Sequence, residues 1–196
     1  MYRAYMRAYS NSPEWPIVLW QRKPLFRRVA ASSCQHLAQG TILDMGTGPG
    51  TLPRLLAEVA PNTRVVGIDI EPVLVQDARR DAVRDGVQSR TSFLLADAHA
   101  LPFLDGSFDM VLSIASLHLW HDRQKAINES YRVLKKGGVA SMLVGRRLVY
   151  PGKIWLLDFV TKASARYLKS VFEVAGFEEV QTEYAETSWL RVVGRR

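Results

Sequence analysis

The sequence predicts an α/β protein: a doubly wound, mostly parallel sheet with helices on both faces. Three observations carry that expectation. From about residue 40, apolar β-type runs alternate with segments of helical period, and the connections between them are short. The first run also ends in a glycine-rich turn, Gly46-Thr47-Gly48-Pro49-Gly50, that leads straight into a helical pattern.

Residues 1–39 stand before this alternation and read as an N-terminal helical cap or lid on a core spanning 40–196. Tyr2, Tyr5, Met6 and Tyr9 recur at helical spacing until Pro13 and Pro16 interrupt them, and a further helix is expected from about Pro24 to Leu37. The core opens with a strand over 41–46. Thr51 is the expected N-cap of the next helix, with Leu52, Leu55, Leu56 and Val59 on one face. A second strand covers 64–70. Its following helix enters through Glu71-Pro72, with proline suited to a first turn, and ends at Gly86. Strands follow over 91–96 and 108–114. A helix over about 122–134 is expected to stop at Gly137-Gly138, ahead of a fifth strand over 138–145. A late helix, about 163–175, and a terminal hairpin complete the chain.

Composition narrows the class. With 196 residues, 47% hydrophobic and 23% charged, the chain suits one soluble domain with a substantial core. The single cysteine, Cys34, excludes a disulfide framework and a multi-cysteine zinc site within the chain, and no metal is expected. The N-terminal residues lack a signal-peptide pattern, and the longest nearly apolar run, Met110 to Trp120, is too short to span a bilayer. A cytoplasmic protein without a membrane partner is expected. Lys and Arg number 26 against 19 Asp and Glu, a net charge of +7 that would attract anionic partners such as RNA. The basic residues are scattered in doublets, which favours a solvated basic surface over a nucleic-acid tail.

In a doubly wound sheet, ligands bind beyond the carboxyl ends of the strands at the topological switch point. The glycine turn lies at that edge. A dinucleotide fingerprint starting at Gly46 would place its third small residue at position 51, where Thr51 stands, and Pro49 offers no N–H to a phosphate. Asp44, two residues ahead of the glycines, would repel a pyrophosphate but suits a ligand carrying an ammonium or sulfonium. Asp69 closes the second strand, where a carboxylate can accept from both ribose hydroxyls. Asp97 and Ala98 follow the third strand. A carboxylate with an adjacent backbone N–H can accept from an adenine amino group and donate to the neighbouring ring nitrogen.

These segments, "LDMGTGPG", "VVGIDI", "ADAHALPF", "FDMVLSIASLHLW" and "VLKKGGVASML", resemble in order and spacing the class I S-adenosylmethionine-dependent methyltransferases, in particular the compact small-molecule type (type 11-like). The resemblance covers about residues 40–145. It implies a Rossmann-like seven-stranded sheet of order 3-2-1-4-5-7-6 with the last strand antiparallel. It implies S-adenosyl-L-methionine as cofactor and S-adenosyl-L-homocysteine as product. By that resemblance Gly46, Thr47, Gly48 and Gly50 form the turn around the methionine moiety, whose ammonium lies near Asp44. Asp69 would hold the ribose, Ile70 would stack on the adenine, and Asp97 and Ala98 would read its edge. Ser113 and Ile114 would border the transferred methyl. For Ile70 and Ile114, core packing is the alternative role.

Methyl transfer from a sulfonium needs donor and acceptor held close and collinear, and a general base only where the acceptor must lose a proton. His118 in "SLHLWHD" is the candidate base, with a structural histidine as the alternative, while His121-Asp122 is read as the start of the following helix. The Asn-Pro-Pro-Tyr-like motif of amino-directed nucleic-acid methyltransferases is missing after the fourth strand, and Cys34 lies far from where RNA carbon methyltransferases place a cysteine. The expected partner is a small-molecule methyl acceptor, bounded by aromatics such as Tyr5, Trp15, Tyr150 and Trp155, in a monomer or homodimer. RNA or a ribosome-associated protein is the alternative acceptor, and a non-catalytic cofactor-binding regulator is the alternative class.

Overall fold

The computed structural model describes residues 24–33, 37, 39–145, 165–184 and 189–196. Most of the expected cap, including Tyr2, Tyr5, Met6, Tyr9 and Trp15, lies outside these residues, as do Tyr150 and Trp155. Helix α1 covers 24–33 and buries Leu25 and Ala30. Then follow β1 (Gly40–Met45), α2 (Thr51–Val59), β2 (Thr63–Asp69), α3 (Pro72–Arg84), β3 (Thr91–Leu95) and β4 (Phe108–Ile114). The chain continues through α4 (Arg123–Val133), β5 (Leu134–Gly145), α5 (Ala165–Val174), β6 (Glu178–Tyr184) and β7 (Trp189–Arg195). The strands form a seven-stranded sheet of order β3-β2-β1-β4-β5-β7-β6, in which β7 runs antiparallel to both its neighbours. Fold class and strand order are those expected. The chain divides into two compact units, residues 1–98 and 99–196.

In the first unit β1 carries its apolar residues inward around the buried Asp44. Ile42, Leu43 and Met45 are fully buried, as suits a parallel strand covered on both faces. Helices α2 and α3 pack on the β2–β3 part of the sheet through Ala57, Val75, Ala78, Ala82, Val87 and Phe93. The N-cap of α2 is Gly50 and not Thr51, which is buried as the first helical residue. The left-handed φ of 72° at Gly50 explains the exchange, since the turn enters the helix with a geometry that threonine resists. A Cβ at Gly50 would also sit 2.7 Å from the Phe93 ring and 2.8 Å from Ala78 Cβ.

In the second unit α4 ends at Val133 and β5 begins at once with Leu134, so Gly137-Gly138 does not stop the helix. The glycines instead build a bulge. Phe108 pairs with Leu134 and Met110 with Val139, so the four residues from Lys135 to Gly138 stand opposite Asp109 alone. Lys135 Nζ holds both Asp109 oxygens at 2.9 Å, and a Cβ at Gly138 would lie 2.8 Å from the Lys135 carbonyl oxygen. Helix α5 buries Phe172, whose ring lies 4.8 Å from that of Phe177, and Tyr131 meets Phe177 edge-on at 5.1 Å. Among the described residues, no helix is long and apolar enough to cross a membrane.

Gly50 and Gly86 separate crowding from backbone strain. Both have a left-handed φ, but a Cβ at Gly86 meets nothing within 4 Å. Gly86→Ala is expected to destabilise by about 1 kcal/mol and Gly50→Ala by roughly 2–4 kcal/mol, read from urea unfolding midpoints.

Candidate cofactor site

The glycine turn is fastened to the neighbouring strand before any side chain takes part. Strands β1 and β2 run parallel with Asp44 opposite Gly67 and Met45 opposite Ile68. The N–H groups of Gly46 and Thr47 both donate to the Ile68 carbonyl, at 2.9 and 2.8 Å. The Thr47 hydroxyl then turns back and donates to Asp44 Oδ2 at 2.7 Å. It occupies the space over Gly67, where a Cβ would lie 2.6 Å from Thr47 Oγ1. This Thr47–Gly67 pairing was not read from the sequence. Its one signal is a glycine in mid-strand, which often marks a close approach.

Asp69 carries the rest of the turn. Its Oδ2 accepts the Gly48 N–H at 2.8 Å and its Oδ1 accepts the Glu71 N–H at 3.0 Å. One carboxylate thereby joins the turn after β1 to the start of α3. The Asp69 carbonyl accepts the Ala96 N–H at 3.0 Å, which anchors the chain just ahead of Asp97. Asp97 is half-buried and Ala98 is buried at the end of this unit, and Ile70 is half-buried beside Asp69.

Three carboxyl groups are buried here: Asp44 at 2% exposure, Asp69 at 6% and Glu71 at 1%. Glu71 was read from the sequence only as a helix entrance, and its burial is a feature of the folded state. Burial pushes the Asp44 carboxyl up to about 7, against the lowering effect of the Thr47 hydroxyl and with a further push from Asp69. Burial also raises Asp69, opposed by the N–H groups of Glu71, Gly48 and Ile70, while Glu71 raises it further. The arrangement is a cluster of buried carboxyl groups whose ionisation is costly and would be favoured by a nearby cation.

These residues fit S-adenosylmethionine. Gly50 and Gly67 are glycines because side chains crowd them, but a Cβ on Gly48 would meet nothing within 4 Å. The backbone at Gly48 faces open space, where a ligand can approach closely. A buried carboxyl cluster matches an ammonium and a sulfonium, and the Asp69 oxygens retain lone pairs for ribose hydroxyls. Among the described residues, no group of three or more His, Cys, Asp or Glu is arranged to hold a metal.

The second unit holds the remaining candidates. At the end of β4, Ser113 is buried and its Oγ lies 2.5 Å from Ser116 Oγ, while Ile114 is buried beside it. Between the serines, Ala115 has a left-handed φ of 58°, a strained position held by its N–H bond to the Leu143 carbonyl at 2.9 Å. Ser116 was not singled out in the sequence. A 3₁₀ turn, Leu117–Leu119, carries the half-buried His118, and the Arg123 guanidinium braces it through the carbonyls of Leu117 and His118 at 3.3 and 3.4 Å. Asp122 caps α4 by accepting the Lys125 N–H at 3.0 Å, as expected for His121-Asp122.

Comparison with known proteins converges on one family. The methyltransferase domain model matches residues 43–142, about half of the chain. The chain belongs to that family. Its resemblance to the class I S-adenosylmethionine-dependent methyltransferases therefore stands, and these enzymes use S-adenosylmethionine as cofactor. The chain is 44% identical over 113 residues to a demethylmenaquinone methyltransferase of Thermus thermophilus, covering 58% of this chain and 50% of that protein. It is 32% identical over 159 residues to a chloroplastic 2-methyl-6-phytyl-1,4-hydroquinone methyltransferase of Oryza sativa, covering 79% of this chain and 46% of that one. The chain thus spans about half the length of these relatives. The fold matches that of a solved protein structure from Methanococcus maripaludis at a TM-score of 0.72 and 20% identity, covering 88% of this chain and 85% of that one.

The raised Asp44 carboxyl predicts a pH dependence for the ligand-free methyltransferase. Its folded value of about 7 stands above the ordinary 3.8, so the folded state holds the proton more tightly than the unfolded chain. The stability it contributes is present below about pH 4, is lost as pH rises to about 7, and stays lost above that. Asp44→Asn removes this penalty. The variant's unfolding free energy relative to the parent is expected to rise by a few kcal/mol between about pH 5 and about pH 8, measured by denaturant titration.

Proposed function

We propose that this protein transfers the methyl group of S-adenosylmethionine to an apolar, planar small-molecule acceptor of the hydroquinone class. The observation that carries the cofactor half is the buried anionic turn, in which Asp69 fastens the open Gly48 backbone beside Asp44. The acceptor class rests on the two relatives named for quinone and hydroquinone substrates and on the aromatic residues of the N-terminal segment and the loop after β5.

When bound, the cofactor supplies an electrophilic methyl on a sulfonium, which leaves as a neutral thioether. The protein's own contribution is placement. Asp44 and the carbonyls of the glycine turn attract the ammonium end, and Gly46, Thr47, Gly48 and Gly50 set the path of the backbone around it. Asp69 accepts from the ribose hydroxyls, and Ile70 offers the half-buried apolar surface beside it. Asp97 and the Ala98 N–H read the adenine edge. Ser113 and Ile114 border the reacting carbon, and excluding water there keeps donor and acceptor collinear, a proximity effect. His118 takes the proton that a hydroxylated ring loses on methylation. The protein works in the cytoplasm.

The +7 charge is the observation that favours RNA as acceptor. Several of these cations are engaged within the protein, among them Arg54 with Asp81, Arg132 with Glu129 and Asp105, and Arg191 with Glu183. An RNA acceptor requires salt-sensitive association with RNA, and its absence at low salt removes that reading.

Calorimetry with S-adenosylhomocysteine is expected to show binding, weakened about ten-fold or more by Asp69→Ala and by Asp97→Ala. No heat at high micromolar ligand overturns the cofactor reading. With labelled donor and a panel of hydroquinones, label is expected as one added methyl group on the hydroquinone. His118→Gln is expected to lower kcat by about 10²-fold with product affinity unchanged, and an unaltered kcat removes His118 as the base.

A further inference from the structure

The turn after β1 brings one hydroxyl to one carboxyl group, and its backbone bonds fix where that hydroxyl lies. The Gly46 and Thr47 N–H groups donate to the Ile68 carbonyl at 2.9 and 2.8 Å, and the Gly48 N–H donates to Asp69 Oδ2 at 2.8 Å. The Thr47 carbonyl accepts the Gly50 N–H at 3.1 Å. Both polar backbone groups of Thr47 are therefore engaged, and its neighbours are fixed on either side. From this anchored residue Oγ1 donates to Asp44 Oδ2 at 2.7 Å. The seat of the hydroxyl is the space that a side chain on Gly67 would fill: a Cβ there would lie 2.6 Å from Thr47 Oγ1 and 2.8 Å from the Phe93 ring. Gly67 stands opposite Asp44 in the β1–β2 register, so the missing side chain opens this seat beside the carboxyl.

The charged groups around Asp44 in this unit oppose its ionisation. Asp69, at the end of β2, pushes it up, and Glu71, ahead of α3, pushes Asp69 up in turn. The arginines of the helices packed on these strands are committed elsewhere. Arg54, Arg80 and Arg84 all pair with Asp81, and Arg79 donates to the Phe93 carbonyl. Burial is the largest push, and the Thr47 hydroxyl acts against it. A hydrogen bond to an ionised group is stronger than one to a neutral group, so this donor favours the charged form.

We propose that Thr47 is a positioning residue for cofactor affinity: its hydroxyl, seated over Gly67, favours the ionised form of Asp44 that receives the ammonium of the methyl donor. The inference rests on the cofactor reading above. Where Asp44 is protonated, a bound ammonium must expel the proton, so affinity rises with pH through about 7. Without the Thr47 donor that rise moves to higher pH. A residue that only shaped the turn would change affinity equally at every pH.

Calorimetry with S-adenosylhomocysteine on the full chain, at about pH 6 and about pH 8.5, tests this. The parent is expected to bind roughly ten-fold more tightly at the higher pH. Thr47→Val, which keeps the shape of the side chain and removes the donor, is expected to bind about ten-fold more weakly than the parent at the lower pH and close to it at the higher. Thr47→Ser is expected to restore the parent profile, and Asp44→Asn to bind weakly with a flat one. Thr47→Ala reads the same shift if Thr47→Val fails to fold. A deficit in the donor-free variant that is absent, or equal at both pH values, overturns the role of Thr47 while leaving the cofactor reading intact, and so does an Asp44→Asn that keeps the parent's slope. A parent that binds no S-adenosylhomocysteine at either pH overturns both.

Discussion

The Asp69 carboxylate is the interaction on which the candidate site depends. It accepts one N–H from the glycine turn after β1 and another from the first residue ahead of α3, so two segments that are 21 and 2 residues away in sequence share one anchor. Its own backbone carbonyl takes the N–H that leads into the Asp97 segment. A side chain so used must remain buried, and burial raises its pKa. The N–H bonds are what keep an anion tolerable there.

Asp44 faces the same problem with less help. Its partner is the Thr47 hydroxyl, which is a dipole and not a charge, and Asp69 and Glu71 stand in the same unit. Natural cores avoid such clusters unless something offsets them. A site that is electrostatically unfavourable alone and favourable with a cationic ligand is a reasonable design for a cofactor that must bind charged and leave with its sulfonium neutralised. The strain stored at Ala115, between the bonded hydroxyls of Ser113 and Ser116, is a second expense located where chemistry is expected.

Much of this was legible in the sequence because it depends on local rules. Strand and helix alternation, the glycine turn, the proline at the first turn of α3 and Asp122 at the head of α4 all speak through short-range patterns. The misreadings were also local. Thr51 has the chemistry of an N-cap, but the turn arrives at α2 in a left-handed conformation, so Gly50 takes that place. Gly137-Gly138 has the look of a helix stop, yet the residues serve a bulge in β5 opposite Asp109, which depends on pairing with a strand far upstream.

By itself, then, the sequence determined the order of elements and the residue types at the strand ends, because each is written in periodicity and spacing, while its motifs carried the resemblance to the family. Only the tertiary structure decided how those residues are used. The burial of Glu71, the seat of Thr47 over Gly67, the bond between Ser113 and Ser116, and the bond from the Leu101 N–H to Glu129 each join groups through packing and not through spacing. Desolvation and long-range hydrogen bonds have no signature along the chain, since they exist only once the chain has brought distant atoms within about 3 Å.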